Sequence, residues 1–290
     1  MALKIKDECV NNGVEAITVH ADVSSDDDCK KLVQETINTF GKVDILVNNA
    51  GTTKFADHSK LDKLNDEDFI NIYKVNVIGP YQMIRAVEPI MKENGFGSVV
   101  NISSIAGKTG IGSSIAYAAS KGALNTMTLS LAKALGPEIR VNTVCPGFIG
   151  TGWFENRFGK ETFDRIKKDQ ESITPLNKAG TPDDIADSAV FFCLEGAEHI
   201  TGETLISDAG MHLNLPKGKK MSELPKIAND DGKKEIQITF TKFICIGASP
   251  PHDHPHVSLE MGKNKQIICP YCGTIYKLVD AVDYLDDLKE

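Results

Sequence analysis

KVDILVNNAGTT, residues 42–53, is a continuous apolar strand that stops on Asn48, Asn49, Ala50 and Gly51. Two more segments end in the same way. SVVNISS (98–104) runs into Ser104, and IRVNTVCPGFIGTGW (139–153) runs into Pro146 and Gly147. Helical stretches lie between them. Ser24 and Ser25 cap DDDCKKLVQETINTF, whose first turn carries three acids that suit the helix dipole, and Gly41 ends it. DEDFINIYKVNVIGPYQMIRAVEPIMKENG reads as one long amphipathic helix, loosened near Asn76 and broken near Gly79 and Pro80. Alternating strands and helices predict an α/β fold, a doubly wound parallel sheet with helices on both faces. In such sheets ligands collect beyond the carboxyl ends of the strands, so the three strand ends define one site.

Chemistry at that site would come from YAASKGALNTMTLSLAKAL (117–135). Tyr117 and Lys121 are four residues apart and share a helix face, where an ammonium can stabilise a neighbouring phenolate. A tyrosine of ordinary pKa, about 10, is a poor acid–base catalyst near neutrality and needs such a cation. Ser104 would leave its strand toward the same spot and donate to a carbonyl oxygen. Cys145 sits nearby, but no histidine base is indicated beside it, so it reads as a core residue.

Seven motifs in order make residues 4–214 resemble the classical short-chain dehydrogenase/reductase family. They are ADV at 21–23, NNAG at 48–51, Asn76 in KVNVIG, Ser104, YAASK at 117–121, PGFIGT at 146–151 and ITGETLISDAG at 200–210. The resemblance implies a Rossmann-like fold and a hydride transfer between NAD or NADP and a secondary alcohol or ketone. Tyr117 would be the general acid–base, with Lys121 lowering its pKa and reaching the nicotinamide ribose. Ser104 would polarise the carbonyl, and Asn76 would hold a water linking Lys121 to solvent. Asp22 and Val23 would meet the adenine, and Asn49, Ala50 and Gly51 would flank the cofactor ribose. Beyond Pro146 and Gly147, Ile149 and Thr151 match positions near the carboxamide. The insert at 152–180 would cover the substrate, with Trp153, Phe154 and Phe158 either lining the pocket or packing as a lid. Substrates implied are small ketones, secondary alcohols or acyl-carrier thioesters. A homo-oligomer through helices at 67–93 and 115–134 is also implied.

The chain departs from the family ahead of Asp22. Family members open with a strand, a GxxxGxG turn, a helix and a second strand, whereas Gly13 is the only glycine here before Gly41 and reads as a helix C-cap before a strand VEAITVHA (14–21). A glycine-rich turn lets a pyrophosphate approach N–H groups at a helix N-terminus. Its loss would leave a gap in the middle of the usual strand order, so the first domain reads as N-terminally incomplete.

Residues 215–234, LPKGKKMSELPKIANDDGKK, read as a polar linker, with an independent start at Met221 as a third reading. Beyond it, at 235–290, short β-type runs form a segment too small for a large core, which calls for a staple. Cys245, His254, Cys269 and Cys272 would supply three thiolates and one imidazole, a closed structural set for Zn²⁺. The rival reading is a redox dithiol at Cys269 and Cys272, against which stands the absence of a helix starting at the first cysteine. His252 and His256 flank His254. HDHP, HVSLEM and CPYCG together resemble the CHCC-type zinc-finger family, in which the histidine before proline is the ligand, and this implies His254. SPPHD replaces that family's glycine-rich approach to the histidine.

The net charge of −8 and pI near 5.4 argue against nucleic acid, and Lys263 and Lys265 read as solvated surface. No apolar run is long enough to span a bilayer, and the N-terminus lacks the apolar core of a signal peptide. Seven cysteines scattered through the chain suggest a reducing compartment such as the cytoplasm. Two functions stand side by side: an NAD(P)-dependent oxidoreductase, and a non-catalytic reductase remnant joined to a zinc-binding interaction module. The chain is then either a truncated reading frame or one whose true start lies upstream; with Met1 as the true start, the missing phosphate anchor predicts weak or undetectable NAD(H) and NADP(H) binding by calorimetry. Micromolar affinity would contradict this.

Overall fold

The computed structural model describes residues 2–152, 155, 157, 159–213, 224–249, 253–262 and 264–279. Trp153, Phe154, Phe158, Met221, His252 and Lys263 lie outside them. The chain divides into two compact units, Met1–Asn214 and Leu215–Glu290.

The first unit begins with helix α1 (Ala2–Asn11), none of whose residues is buried. Gly13 follows in the left-handed region (φ +84°), as a C-terminal glycine should. The expected strand at 14–21 does not form. Among the described residues these have no ladder partner, and Val14 and Ile17 are exposed. Strand propensity alone cannot hold an extended segment whose N–H and C=O groups meet no neighbouring strand.

Helix α2 (Asp26–Phe40) starts at Ser25, whose side chain accepts from Asp28 N, and stops at Gly41. Strand β1 (Ile45–Asn48) leads through irregular chain to helix α3 (Asp66–Tyr73), capped by a reciprocal Asn65–Asp68 box. Residues Lys74–Ile78 then widen into a π-helical turn before helix α4 (Gly79–Glu93). This is the loosening expected around Asn76, which is fully buried within the turn. Then come β2 (Gly97–Ile102), the short α5 (Ala106–Thr109), α6 (Ile115–Leu135), β3 (Ile139–Pro146), α7 (Lys160–Ile173), α8 (Pro182–Cys193) and β4 (Thr204–Ser207).

The four strands form one parallel sheet in the order β1-β2-β3-β4. Successive residues of β2 face opposite sides. Val99 packs with Val33, Ile84, Val87 and Met91 of α2 and α4, whereas Val100 packs with Ala189 and Phe192 of α8. Burying each such side chain contributes about 1.5–3 kcal/mol, which is why central strands read as unbroken apolar runs. β1 differs, since Ile45 and Val47 are exposed at the open side of the sheet.

The second unit holds two three-stranded sheets. In one, β5 (Lys226–Ala228) runs parallel to β7 (Lys242–Gly247), which pairs antiparallel with β8 (Asp253–Glu260). In the other, β6 (Glu235–Ile238) is parallel to β10 (Ile275–Leu278), and β9 (Gln266–Ile268) is antiparallel to it. β5 corrects the reading of 215–234 as linker throughout, because Ile227 pairs with Cys245 and packs against the core of Phe243, Leu259 and Tyr276. Its apolar residue was hidden among charged neighbours.

One close approach fixes α5 against α6. A Cβ on Gly107 would stand 2.5 Å from the Lys121 carbonyl carbon and 2.7 Å from Gly122 N, both backbone atoms that cannot turn aside. Gly107→Ala is expected to lower stability by about 1–3 kcal/mol in denaturant titration. Gly122→Ala, whose Cβ would meet only the Gly107 carbonyl oxygen at 3.5 Å, should be neutral or stabilising.

Candidate functional site

The carboxyl ends of β1, β2 and β3 open on a cavity of about 870 Å³. Its lining includes Asn49 and Gly51 after β1, Ser104 after β2, Tyr117 and Lys121 from α6, Pro146 at the end of β3, and Gly147, Ile149 and Thr151 after it. The geometry therefore brings together most of the residues singled out from the sequence. Asp22, Val23 and Ala50 are not part of the lining. Asp22 instead accepts hydrogen bonds from Ser24 N (2.9 Å) and Ser24 Oγ (2.8 Å), and its own N–H donates to Asp28. The Val23 carbonyl accepts from Gln82 Nε2 at 3.0 Å.

Tyr117 is placed by the start of α6, where Ser114 caps the helix by accepting from Tyr117 N at 3.2 Å. Lys121, one turn on, is 3% exposed and donates to the Ile102 carbonyl at 2.8 Å. Its Nζ lies 5.8 Å from the centre of the Tyr117 ring. Burial drives the lysine pKa down to about 8, opposed by the nearby Cys145. Burial also pushes the Tyr117 phenol up, with the neighbouring Ser104 hydroxyl opposing it. The Lys121 ammonium donates to a backbone carbonyl, and on the phenol loss of solvent outweighs the lowering influence of the Ser104 hydroxyl.

Asn76 sits behind this pair and does not line the cavity. Its Oδ1 accepts from Thr52 N (2.8 Å), and its Nδ2 donates to the Thr52 carbonyl (2.9 Å) and to Ser120 Oγ (3.0 Å). The π turn thus ties the loop after β1 to the Tyr117 helix.

A polar chain under the cavity escaped sequence reasoning. Asn48 donates to Asn101 (2.9 Å), Asn101 to Thr128 (2.9 Å), and Thr143 to Thr128 (2.7 Å), all buried. The sheet register sets Asn48 beside Asn101 and Asn101 beside Thr143. Polar residues set among the apolar ones of each strand were the available signal.

In the second unit, the ligand atoms of Cys245, His254, Cys269 and Cys272 all lie within 4.8 Å of one another. Zn–S bonds of about 2.3 Å and Zn–N bonds of about 2.0 Å at tetrahedral angles space sulfurs ~3.8 Å apart and sulfur from nitrogen ~3.5 Å. Here Cys245 Sγ is 3.7 Å from Cys272 Sγ, and His254 Nε2 is 3.4 Å and 3.5 Å from Cys245 and Cys269. The donor set and its spacing fit zinc. Cys269 and Cys272 occupy the turn between β9 and β10, with no helix at the first cysteine, which disfavours the dithiol reading. His254 Nδ1 lies 2.8 Å from the Pro255 carbonyl, which orients the ring, and His256 is not in the cluster. Two supports were missed from sequence. The Tyr276 hydroxyl donates to Cys245 Sγ at 3.0 Å, and Gly247 (φ +76°) leaves room where a Cβ would stand 2.6 Å from the His254 ring.

No helix among the described residues is long and apolar enough to cross a membrane. Residues 3–212 match the family model described as enoyl-(acyl carrier protein) reductase, and residues 241–276 match a CHCC zinc-finger domain. A ketoacyl reductase ascribed to the granaticin polyketide synthase of Streptomyces violaceoruber is 41% identical over 199 residues, which cover 69% of this chain and 78% of the relative. A crystal structure described as a short-chain dehydrogenase/reductase from Burkholderia xenovorans superposes with a TM-score of 0.67 at 38% identity, covering 73% of this chain and 82% of that one. The structure of ElxO with NADP bound gives 0.64 at 27% identity, covering 72% and 86%. With this fold, this match and the Cys/His cluster, the chain belongs to the short-chain dehydrogenase/reductase family of oxidoreductases and carries a CHCC zinc-finger domain at its C-terminal end.

Proposed function

We propose that the first unit moves a hydride between a nicotinamide cofactor, NAD or NADP, and a secondary alcohol or ketone, with Tyr117 as the general acid–base. The observation that carries this reading is the convergence of Tyr117, Ser104 and Lys121 on one cavity. The nicotinamide end of a dinucleotide fits these residues. Lys121 uses one of its three donors on Ile102, leaving two for the hydroxyls of a ribose.

When bound, the cofactor supplies or accepts the hydride. The protein handles the proton. In reduction, the Ser104 hydroxyl donates a hydrogen bond to the substrate carbonyl oxygen, and the Tyr117 hydroxyl transfers its proton to that oxygen. The raised phenol pKa keeps Tyr117 protonated at neutral pH, which suits reduction. Lys121, while charged, stabilises the phenolate left behind, and Asn76 holds the Thr52 backbone and the Tyr117 helix in register. Alcohol oxidation needs the phenolate first and is favoured by rising pH. The relatives' ketoacyl chemistry makes acyl thioesters one candidate substrate class beside small ketones. A homo-oligomer remains the family expectation.

In the second unit, Cys245, His254, Cys269 and Cys272 would hold Zn²⁺ in a closed structural site that cross-links β7, β8 and the β9–β10 turn.

With cofactor at millimolar concentration, the parent chain should reduce members of a ketone panel. Tyr117→Phe should lose about 10²–10⁴-fold in kcat/KM and Ser104→Ala about 10–10³-fold. The reductive kcat/KM should hold below pH 8 and decline above it, as Lys121, with its pKa near 8, loses its proton. Equal inactivity of parent and Tyr117→Phe would favour the non-catalytic reading. Metal analysis should find about one zinc per chain. A strong chelator should unfold the second unit, and Gly247→Ala should lower zinc content by displacing His254. Metal-free protein with Cys245, Cys269 and Cys272 freely titratable would defeat the zinc site.

A further inference from the structure

Part of the cavity wall is built from two segments that are neither helix nor strand. One follows β1 and contributes Phe55 and Ala56, and the other precedes α6 and contributes Ile111 and Gly112. Three hydrogen bonds join them. Ala56 N donates to the Ser113 carbonyl at 2.9 Å, the Thr53 and Ser113 hydroxyls meet at 2.6 Å, and His58 Nε2 lies 3.1 Å from the Gly112 carbonyl. A carbonyl oxygen only accepts, so His58 carries a proton on Nε2 and donates it. The first segment is itself anchored, because Asn76 holds both backbone groups of Thr52.

Gly112 matters because of what it touches. A Cβ there would stand 2.8 Å from Ala106 Cβ and 3.4 Å from Tyr117 Cδ1, so the Gly112 backbone lies directly against the Tyr117 ring. Ser114 fixes the backbone of Tyr117 by accepting from its N–H, but the ring can still turn about its side-chain bonds, and Gly112 limits that turning on one side. The segment that carries Gly112 has weak internal support. Gly110 ends α5 in the left-handed region (φ +73°), and Ile111 is exposed. Ser113 is tied down by its hydroxyl and its carbonyl, and at Gly112 the tie is the His58 ring. His58 is not part of the cavity lining, so any influence it has on the chemistry runs through Gly112.

We infer that His58 is a positioning residue: by donating to the Gly112 carbonyl it holds Gly112 against the Tyr117 ring and so fixes the direction in which the phenol hydroxyl meets the substrate oxygen. Proton transfer depends steeply on the alignment of the reacting atoms, so a ring that is free to turn spends less time in the productive orientation. The hydrogen bond is at the surface, where its loss loosens the loop without unfolding the chain. The inference rests on the reductase reading for its effect on turnover, but not for the packing of Gly112 on Tyr117.

The test compares His58→Ala with His58→Gln, whose amide can place an N–H donor near the position of the histidine Nε2. With a ketone that the parent reduces, His58→Ala should lose about 3–10-fold in kcat with KM nearly unchanged, and His58→Gln should recover most of that loss. Added to Tyr117→Phe, His58→Ala should cost less than about twofold more, because the hydroxyl being aimed is gone. A second arm needs no turnover. In full-length protein labelled with ¹³C at tyrosine Cζ, the Tyr117 signal, identified by its loss in Tyr117→Phe, should move in His58→Ala toward that of an exposed tyrosine such as Tyr271 and return in His58→Gln. A Tyr117 signal unmoved in His58→Ala overturns the inference. So does a loss of kcat that His58→Gln fails to recover, or one that persists in full in the Tyr117→Phe background. A Tyr117 signal that moves and is rescued, in a parent chain that reduces no ketone, would uphold the hold of His58 on the ring and count against the reductase reading instead.

Discussion

The hydrogen bond from Lys121 to the Ile102 carbonyl is the constraint from which the rest of the first unit can be understood. It fastens the middle of α6 to the end of β2 at 2.8 Å, with the ammonium almost wholly removed from water. Lowering a lysine pKa from 10.5 to about 8 corresponds to roughly 3 kcal/mol of unfavourable burial. Such a cost persists only where the surroundings determine the position, and here they do. Gly107 brings backbone against backbone at Lys121 itself, and Asn76 braces the next turn through Ser120. The consequence is a charged donor facing a cavity beside a phenol that burial keeps protonated.

The two units solve the problem of stability differently. The first has a sheet covered on both sides, and its helices hide Val99 on one face and Val100 on the other. The second is too small for that. Its core of Phe243, Tyr276 and Leu259 adjoins the Cys/His cluster, and Tyr276 belongs to both, since its ring packs 4.5 Å from Phe243 while its hydroxyl reaches Cys245. Where apolar area is short, a metal cross-link between strands can supply the remainder.

Much of the site was legible because its parts obey short-range rules. An i, i+4 pair shares a helix face wherever it occurs, and strands that stop on Asn-Asn-Ala-Gly or Pro-Gly leave their ends open. Hence Tyr117, Lys121, Ser104, Gly51 and Gly147 could be placed near one another in advance. The spacing of Cys269 and Cys272 likewise announced a metal-gripping turn. What was misread depended on partners distant in sequence. Residues 14–21 have the composition of a strand but lack a neighbour, and Ile227 sits in a charged segment but has one.

Sequence by itself determined most of the succession of strands and helices, the family, the catalytic candidates and the four candidate metal ligands, because each of these follows from local spacing and residue chemistry. Only the tertiary structure decided the sign of the Tyr117 shift, the ladder from Asn48 to Thr143, the room that Gly247 makes for His254 and the bond from His58 to Gly112. Those depend on desolvation and on contacts between segments far apart along the chain, quantities that exist only once the chain has closed on itself.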